Sequence, residues 1–138
     1  RRTQPIPKIA LAWPVRTAEV SSPFGQRGKY FHDGIDLRAP RGTPVHAAQK
    51  GTVIFDGNMR GHGNMIIIRH SAHYVTIYAH NEENRVKKGH KVQQGDVIAT
   101  VGVSGRTSGA NLHFELRRNN VARDPLPYLP PVGRAGVN

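Results

Sequence analysis

The stretch Asn111-Leu112-His113-Phe114-Glu115-Leu116 alternates polar and apolar side chains without a break. Because successive side chains of a β-strand point to opposite faces, this pattern predicts a strand with Leu112, Phe114 and Leu116 on an apolar face. Asn111, His113 and Glu115 then stand side by side over a cleft. Working outward, further short apolar runs punctuated by glycine cover Thr52 to Phe55, Met65 to Arg69, Tyr74 to His80 and Val97 to Val101, and each predicts a strand. In the run from Tyr74, the two-residue period puts Tyr74, Thr76, Tyr78 and His80 on a polar and aromatic face. Val75, Ile77 and Ala79 fall on the other, which is expected to be core. Val86-Lys87-Lys88-Gly89 and Val92-Gln93-Gln94-Gly95 repeat a Val-x-x-Gly pattern, which fits two successive turns and not a solenoid array.

The composition agrees with this reading. The chain has 138 residues, including 15 glycines and 10 prolines, and no window carries a capped 3.6-residue period. The fold class expected is all-β, a mainly antiparallel sheet domain with long loops and little helix. One domain is expected over residues 13–129, with 1–12 as an N-terminal linker and 130–138 as a C-terminal tail. No run approaches a membrane span, and the segment from Arg1 lacks the apolar core of a signal peptide, so any export signal would lie upstream. The absence of cysteine removes disulfides, thiolate metal sites and cysteine nucleophiles together.

The net charge of +11 favours polyanionic partners such as nucleic acid, an anionic membrane surface or an acidic cell wall. Its sign is spread along the chain, as on a solvated face. No zinc finger, recognition helix or aromatic RNA platform is visible, so nucleic acid is not an expected partner. The run from Gly102 to Gly109 lacks the order of a phosphate loop and precedes a strand. Its glycines suffice as turn residues, with Arg106 and Ser108 placed to border a groove.

Eight histidines recur beside carboxylates and other polar groups, in His32-Asp33-Gly34-Ile35-Asp36, Tyr78-Ala79-His80 and Leu112-His113-Phe114-Glu115. Without cysteine, a metal site in this chain would use imidazole and carboxylate donors. Taken singly, each of these residues is as readily structural or solvated. His46, His62, His73 and His90 lie outside these motifs and are expected on the surface. His70 follows the Ile66-Ile67-Ile68 run, where a supporting hydrogen bond or simple packing would explain it.

In their order, these motifs resemble the lysostaphin-type (LytM) family of zinc peptidoglycan endopeptidases. Its marks are His-x-x-x-Asp and a later His-x-His. The similarity runs from about Trp13 to Leu129, through Ser22-Pro23-Phe24-Gly25, His32 to Leu37, Gly63-Asn64-Met65, Tyr78-Ala79-His80 and Leu112-His113-Phe114-Glu115. The resemblance implies zinc held by His32, Asp36 and His113, with His80 as one of two further histidines that serve as general base and oxyanion donor. Where the family has the other, this chain has Asn111. An amide can donate a hydrogen bond but cannot take and return a proton near neutral pH.

Two functions follow from the resemblance. One is a zinc-dependent endopeptidase cutting peptidoglycan cross-links, slowed by Asn111. The other is a degenerate domain that binds peptidoglycan and activates amidases in cell division or envelope remodelling. The intact ligand set tips the sequence reading narrowly towards the enzyme. Either implies a periplasmic or extracellular protein, with peptidoglycan and cell-wall amidases or division proteins as partners, acting as a monomer.

Overall fold

The computed structural model describes residues 8–16, 19–105, 107 and 109–131. Twelve strands run β1 (Val20–Ser22), β2 (Gly25–Arg27), β3 (Tyr30–His32), β4 (Ile35–Arg38), β5 (Pro44–His46), β6 (Gly51–Met59), β7 (Gly63–Arg69), β8 (Tyr74–Asn84), β9 (Lys91–Val92), β10 (Val97–Val101), β11 (Asn111–Arg118) and β12 (Val121–Arg123). The only helix among the described residues is a 3₁₀ turn at Leu126–Tyr128, far too short to cross a membrane. The expected all-β antiparallel fold is therefore present. Ten strands form one sheet in the order β1-β4-β11-β8-β7-β6-β9, with β10 joining β5 to β8 and β12 flanking β11, while β2 and β3 make a separate hairpin.

The main core lies on one face of this sheet. Leu112, Phe114 and Leu116 of β11 pack there with Ile66 and Ile68 of β7 and Val53 of β6, covered by Leu11, Val15, Val45 and Leu129. Leu11 is buried and its amide donates to the Tyr128 carbonyl at 2.9 Å, so packing begins inside the segment read as linker. The two Val-x-x-Gly turns are present, and Gly89 and Gly95 take positive φ at their corners.

Strand β8 reverses one expectation. Tyr74, Thr76 and Tyr78 are buried, with both tyrosines in the main core, whereas Ile77 and Ala79 join Met65 in a smaller cluster on the opposite face. The physical reason is a hydrogen-bond relay that satisfies the buried hydroxyls. The Ala48 amide donates to the Tyr78 hydroxyl at 2.9 Å, Tyr78 and Thr76 hydroxyls lie 2.7 Å apart, and Thr76 lies 2.7 Å from His70 Nε2. His70 Nδ1 donates to the Lys50 carbonyl at 2.7 Å, which fixes Nε2 as the acceptor. Burial pushes the Tyr78 phenol up to about 12, and burial also lowers His70 below its ordinary value despite the Lys50 carbonyl. His70 thus does the supporting work considered from sequence.

The register of β7 against β8 then shifts between Asn64 and Ile66, and His80 adopts φ 69°. A β-bulge of this kind re-aims a side chain. His80 leaves the core face that strict alternation would assign it and lines a cavity on the other.

Thr76→Val should leave His70 Nε2 without its donor and take from the Tyr78 hydroxyl one of its two partners, the Ala48 amide remaining, costing about 1–3 kcal/mol for the nitrogen left unpaired. Urea denaturation would measure this. The unfolded chain binds a proton to His70 at a higher pH than the folded chain does. His70 therefore contributes stability that is present above about pH 6.5 and lost on acidification through its lowered folded pKa. Urea midpoints between pH 7.5 and 5 should show this loss, and His70→Gln should reduce it.

Candidate metal centre

The face opposite the main core carries the site. Strands β4 and β11 pair so that Asp36 lies directly across from His113. Their approach requires Gly34, because a Cβ there would sit 2.3 Å from the Phe114 carbonyl oxygen and 2.8 Å from Glu115 Cγ. His32 at the end of β3 brings Nε2 to 3.3 Å from Asp36 Oδ1, and His113 Nδ1 lies 2.9 Å from the same oxygen. The three residues expected as ligands therefore meet, each offering a ligand atom within 4.8 Å of the others.

Both imidazoles are oriented from behind. His32 Nδ1 donates to the Pro23 carbonyl at 2.8 Å, which leaves Nε2 unprotonated in the neutral ring and turned towards Asp36. His113 Nε2 lies 2.8 Å from Glu115 Oε2, a carboxylate behind the imidazole. Arg117 clamps the other oxygen of Glu115 through Nε at 2.8 Å and a terminal nitrogen at 2.7 Å. Burial opposes charge on His113, yet its hydrogen bonds to Asp36 and Glu115 carry it up to about 9. Burial would likewise raise Glu115 and Asp36, but His113 holds both below the usual carboxylate range, with His62 and Arg117 adding to the effect on Glu115.

Two imidazoles and one carboxylate, with carbonyl and carboxylate partners on the outer nitrogens, fit a zinc site that keeps a position open. A cavity of about 210 Å³ faces this group, lined by Arg27, His32, Asp36, His62, His80 and His113. His80 Nδ1 donates to the Ser104 carbonyl at 2.8 Å, and its ring centroid is 6.0 Å from that of His113. Burial lowers the His80 pKa, partly offset by the Ser104 carbonyl.

Asn111 is placed differently. Its amide nitrogen donates to Thr107 Oγ1 at 2.7 Å and to the Gly109 carbonyl at 2.8 Å, while its oxygen is buried without a partner among the described residues. It lines an adjoining cavity of about 460 Å³ that shares Arg27 and Asp36 with the histidine-lined one. Arg106 and Ser108, read as bordering the groove, lie outside the described residues.

Two histidines read as surface residues are not. His46 is buried, with Nδ1 2.8 Å from the Gly95 carbonyl. His62 is half-buried in the site itself, its ring centroid 5.9 Å from His113 and its Nε2 3.9 Å from Glu115. It sits in the turn between β6 and β7, where no periodic pattern could signal it. His73 and His90 are exposed as expected.

Glu115→Gln removes the charge behind His113 while keeping its shape. Competition with a chromophoric chelator should show zinc affinity weakened by roughly 10–100-fold, and His113→Ala should abolish measurable binding.

The profile of peptidase family M23 matches residues 30–125. The lipoprotein YgeR of Escherichia coli K12 is 44% identical over 130 residues, covering 94% of this chain and 51% of YgeR. The murein hydrolase activator NlpD of Salmonella typhimurium is 39% identical, covering 90% of this chain and 32% of NlpD. The crystal structure of a zinc-containing peptidase from Vibrio cholerae superposes with a TM-score of 0.80 at 33% identity, covering 85% of this chain and 39% of that one. The chain thus spans about half of YgeR and less of the other two, and within that span the profile and the superposed fold agree: it belongs to peptidase family M23.

Proposed function

We propose that this is a peptidoglycan-binding M23 domain that activates cell-wall amidases in division or envelope remodelling, in the periplasm or at the cell surface. Asn111 carries the reading. It stands where the family has a second active-site histidine, and its amide is committed to the Thr107–Gly109 loop instead of the cavity that faces the ligand trio. Similarity to the NlpD activator and to the YgeR lipoprotein supports an envelope role of this kind. The net charge of +11 suits a wall whose stem peptides bear carboxylates. The working unit is a monomeric domain over residues 13–129, joined to the rest of its parent chain through the flanking segments.

The expected outcome is that the domain stimulates release of dye-labelled fragments from purified sacculi by an amidase of the same cell. The products should be those of amide cleavage between glycan and peptide. An amidase series that releases no more with the domain than without it would overturn the activator reading.

The ligand trio favours a second reading, a slow zinc endopeptidase. His32, Asp36 and His113 would hold zinc, which when bound supplies Lewis acidity and a water ionised near neutral pH. His80, whose Nδ1 is committed to the Ser104 carbonyl, would act as proton carrier or oxyanion donor. On this reading the domain alone gives chelator-sensitive peptide-bond products by mass, and Asn111→His raises turnover without changing zinc content.

A further inference from the structure

We infer that the cavity of about 460 Å³ beside the metal centre is a carboxylate subsite, in which Arg27 and Arg38 hold a free carboxylate of a stem peptide that reaches the ligand trio. The inference rests on the peptidoglycan-binding reading and names the group by which the wall peptide is held.

Strand pairing builds the subsite in two rows. Ser22 of β1, Asp36 of β4 and His113 of β11 are register partners across three strands, and in the next row Arg38 lies opposite Asn111. Ile35 and Leu37 are fully buried in the main core, so alternation puts Asp36 and Arg38 together on the other face of β4. Two residues along a strand are about 7 Å apart. A group held at Arg38 therefore lies about two extended peptide residues from one held at the trio. Arg27 enters from the β2–β3 hairpin and lines both this cavity and the histidine-lined one.

The charges in the cavity suit an anion. Arg27 is exposed and donates to the Ser22 hydroxyl. Among the described residues the arginines in ion pairs are Arg38, Arg41, Arg85 and Arg117, so Arg27 has no carboxylate of its own. Arg38 meets Glu19 through one terminal nitrogen at 3.3 Å, with both side chains more than half exposed. Such a pair contributes little, and the rest of the guanidinium fork is open to a second acceptor. The only acid lining the cavity among the described residues is Asp36, whose Oδ1 is engaged by His32 and His113. Asn111, across from Arg38, is neutral. Two guanidinium forks on one polar, solvent-open cavity match a carboxylate, which accepts paired N–H bonds in that geometry.

The test follows the arginine Nε groups by nitrogen-15 NMR during titration with N-acetyl-D-alanyl-D-alanine and, separately, with its C-terminal amide. Zinc-loaded and chelator-treated protein are both titrated. The free acid should bind roughly 5–10-fold more tightly than the amide in both, shifting Arg27 and Arg38. Arg27→Gln and Arg38→Gln should each erase most of that preference, Arg38→Lys should keep part of it, and Glu19→Gln should tighten binding by releasing Arg38. If the Glu19–Arg38 pair is merely structural, Glu19→Gln acts like Arg38→Gln, and the inference is overturned. Equal affinities for acid and amide overturn it, as does no detectable binding of either. An acid preference seen only with zinc also overturns it, by placing the carboxylate on the metal. Sedimentation with purified sacculi is scored in parallel. Wild type that sediments while the peptide tests fail leaves the peptidoglycan-binding reading standing, whereas wild type that does not sediment removes that reading and the inference with it.

Discussion

The buried carboxylate of Glu115 is the interaction on which the site depends. At 2% exposure it would be strongly disfavoured as an anion, but His113 binds one oxygen and Arg117 the other. Arg117 also reaches Asp33 at 3.6 Å, in the segment that carries His32 and Asp36. One charge thus ties the β3–β4 loop to β11 and fixes the ring orientation of His113. Gly34 allows the contact, since any side chain there would collide with Glu115 and the strand beneath it. Breaking a buried pair leaves an uncompensated charge and costs about 3–5 kcal/mol.

The sheet uses its two faces for different purposes. One packs a continuous core and accepts the tyrosines of β8 only because their neighbourhood supplies hydrogen bonds. The other carries a small apolar cluster of Met65, Ile77 and Ala79 beside the ligand trio. Register connects them, with His113 opposite both Asp36 on β4 and Ala79 on β8. A one-residue slip of β11 would move His113 and Glu115 into the core and expose Phe114. The apolar side chains of β11 therefore hold the site in place from behind.

Much of this was legible in the sequence. Alternation over 111–116 fixed the faces of β11, and the all-β class followed from short runs and turn residues. The spacing of His32, Asp36 and His113 resembled a known motif, and the structure brings those three residues together. The faces of β8 were assigned the wrong way round because alternation gives a period without its sign. Only the distant partners Ala48 and His70 make the tyrosine face the buried one. The bulge that re-aims His80 depends on the length of β7 against β8, which no local pattern records. His62 escaped because it lies in a glycine-flanked turn, and its neighbours in space are Glu115 and His113, more than fifty positions away.

Retention of the ligand trio is weaker support for hydrolysis than the sequence alone suggests. His113 and Asp36 are cross-strand partners, and His113 also neutralises Glu115, so this network holds β4 and β11 together whether or not a metal is turned over. Drift in a domain that only activates other enzymes would still find these residues costly to lose. The informative position is Asn111, whose amide nitrogen is committed to Thr107 and the Gly109 carbonyl and not to the cavity that faces the trio. Asn111 thus separates a site kept for chemistry from one kept as scaffolding, a distinction the three ligands cannot make.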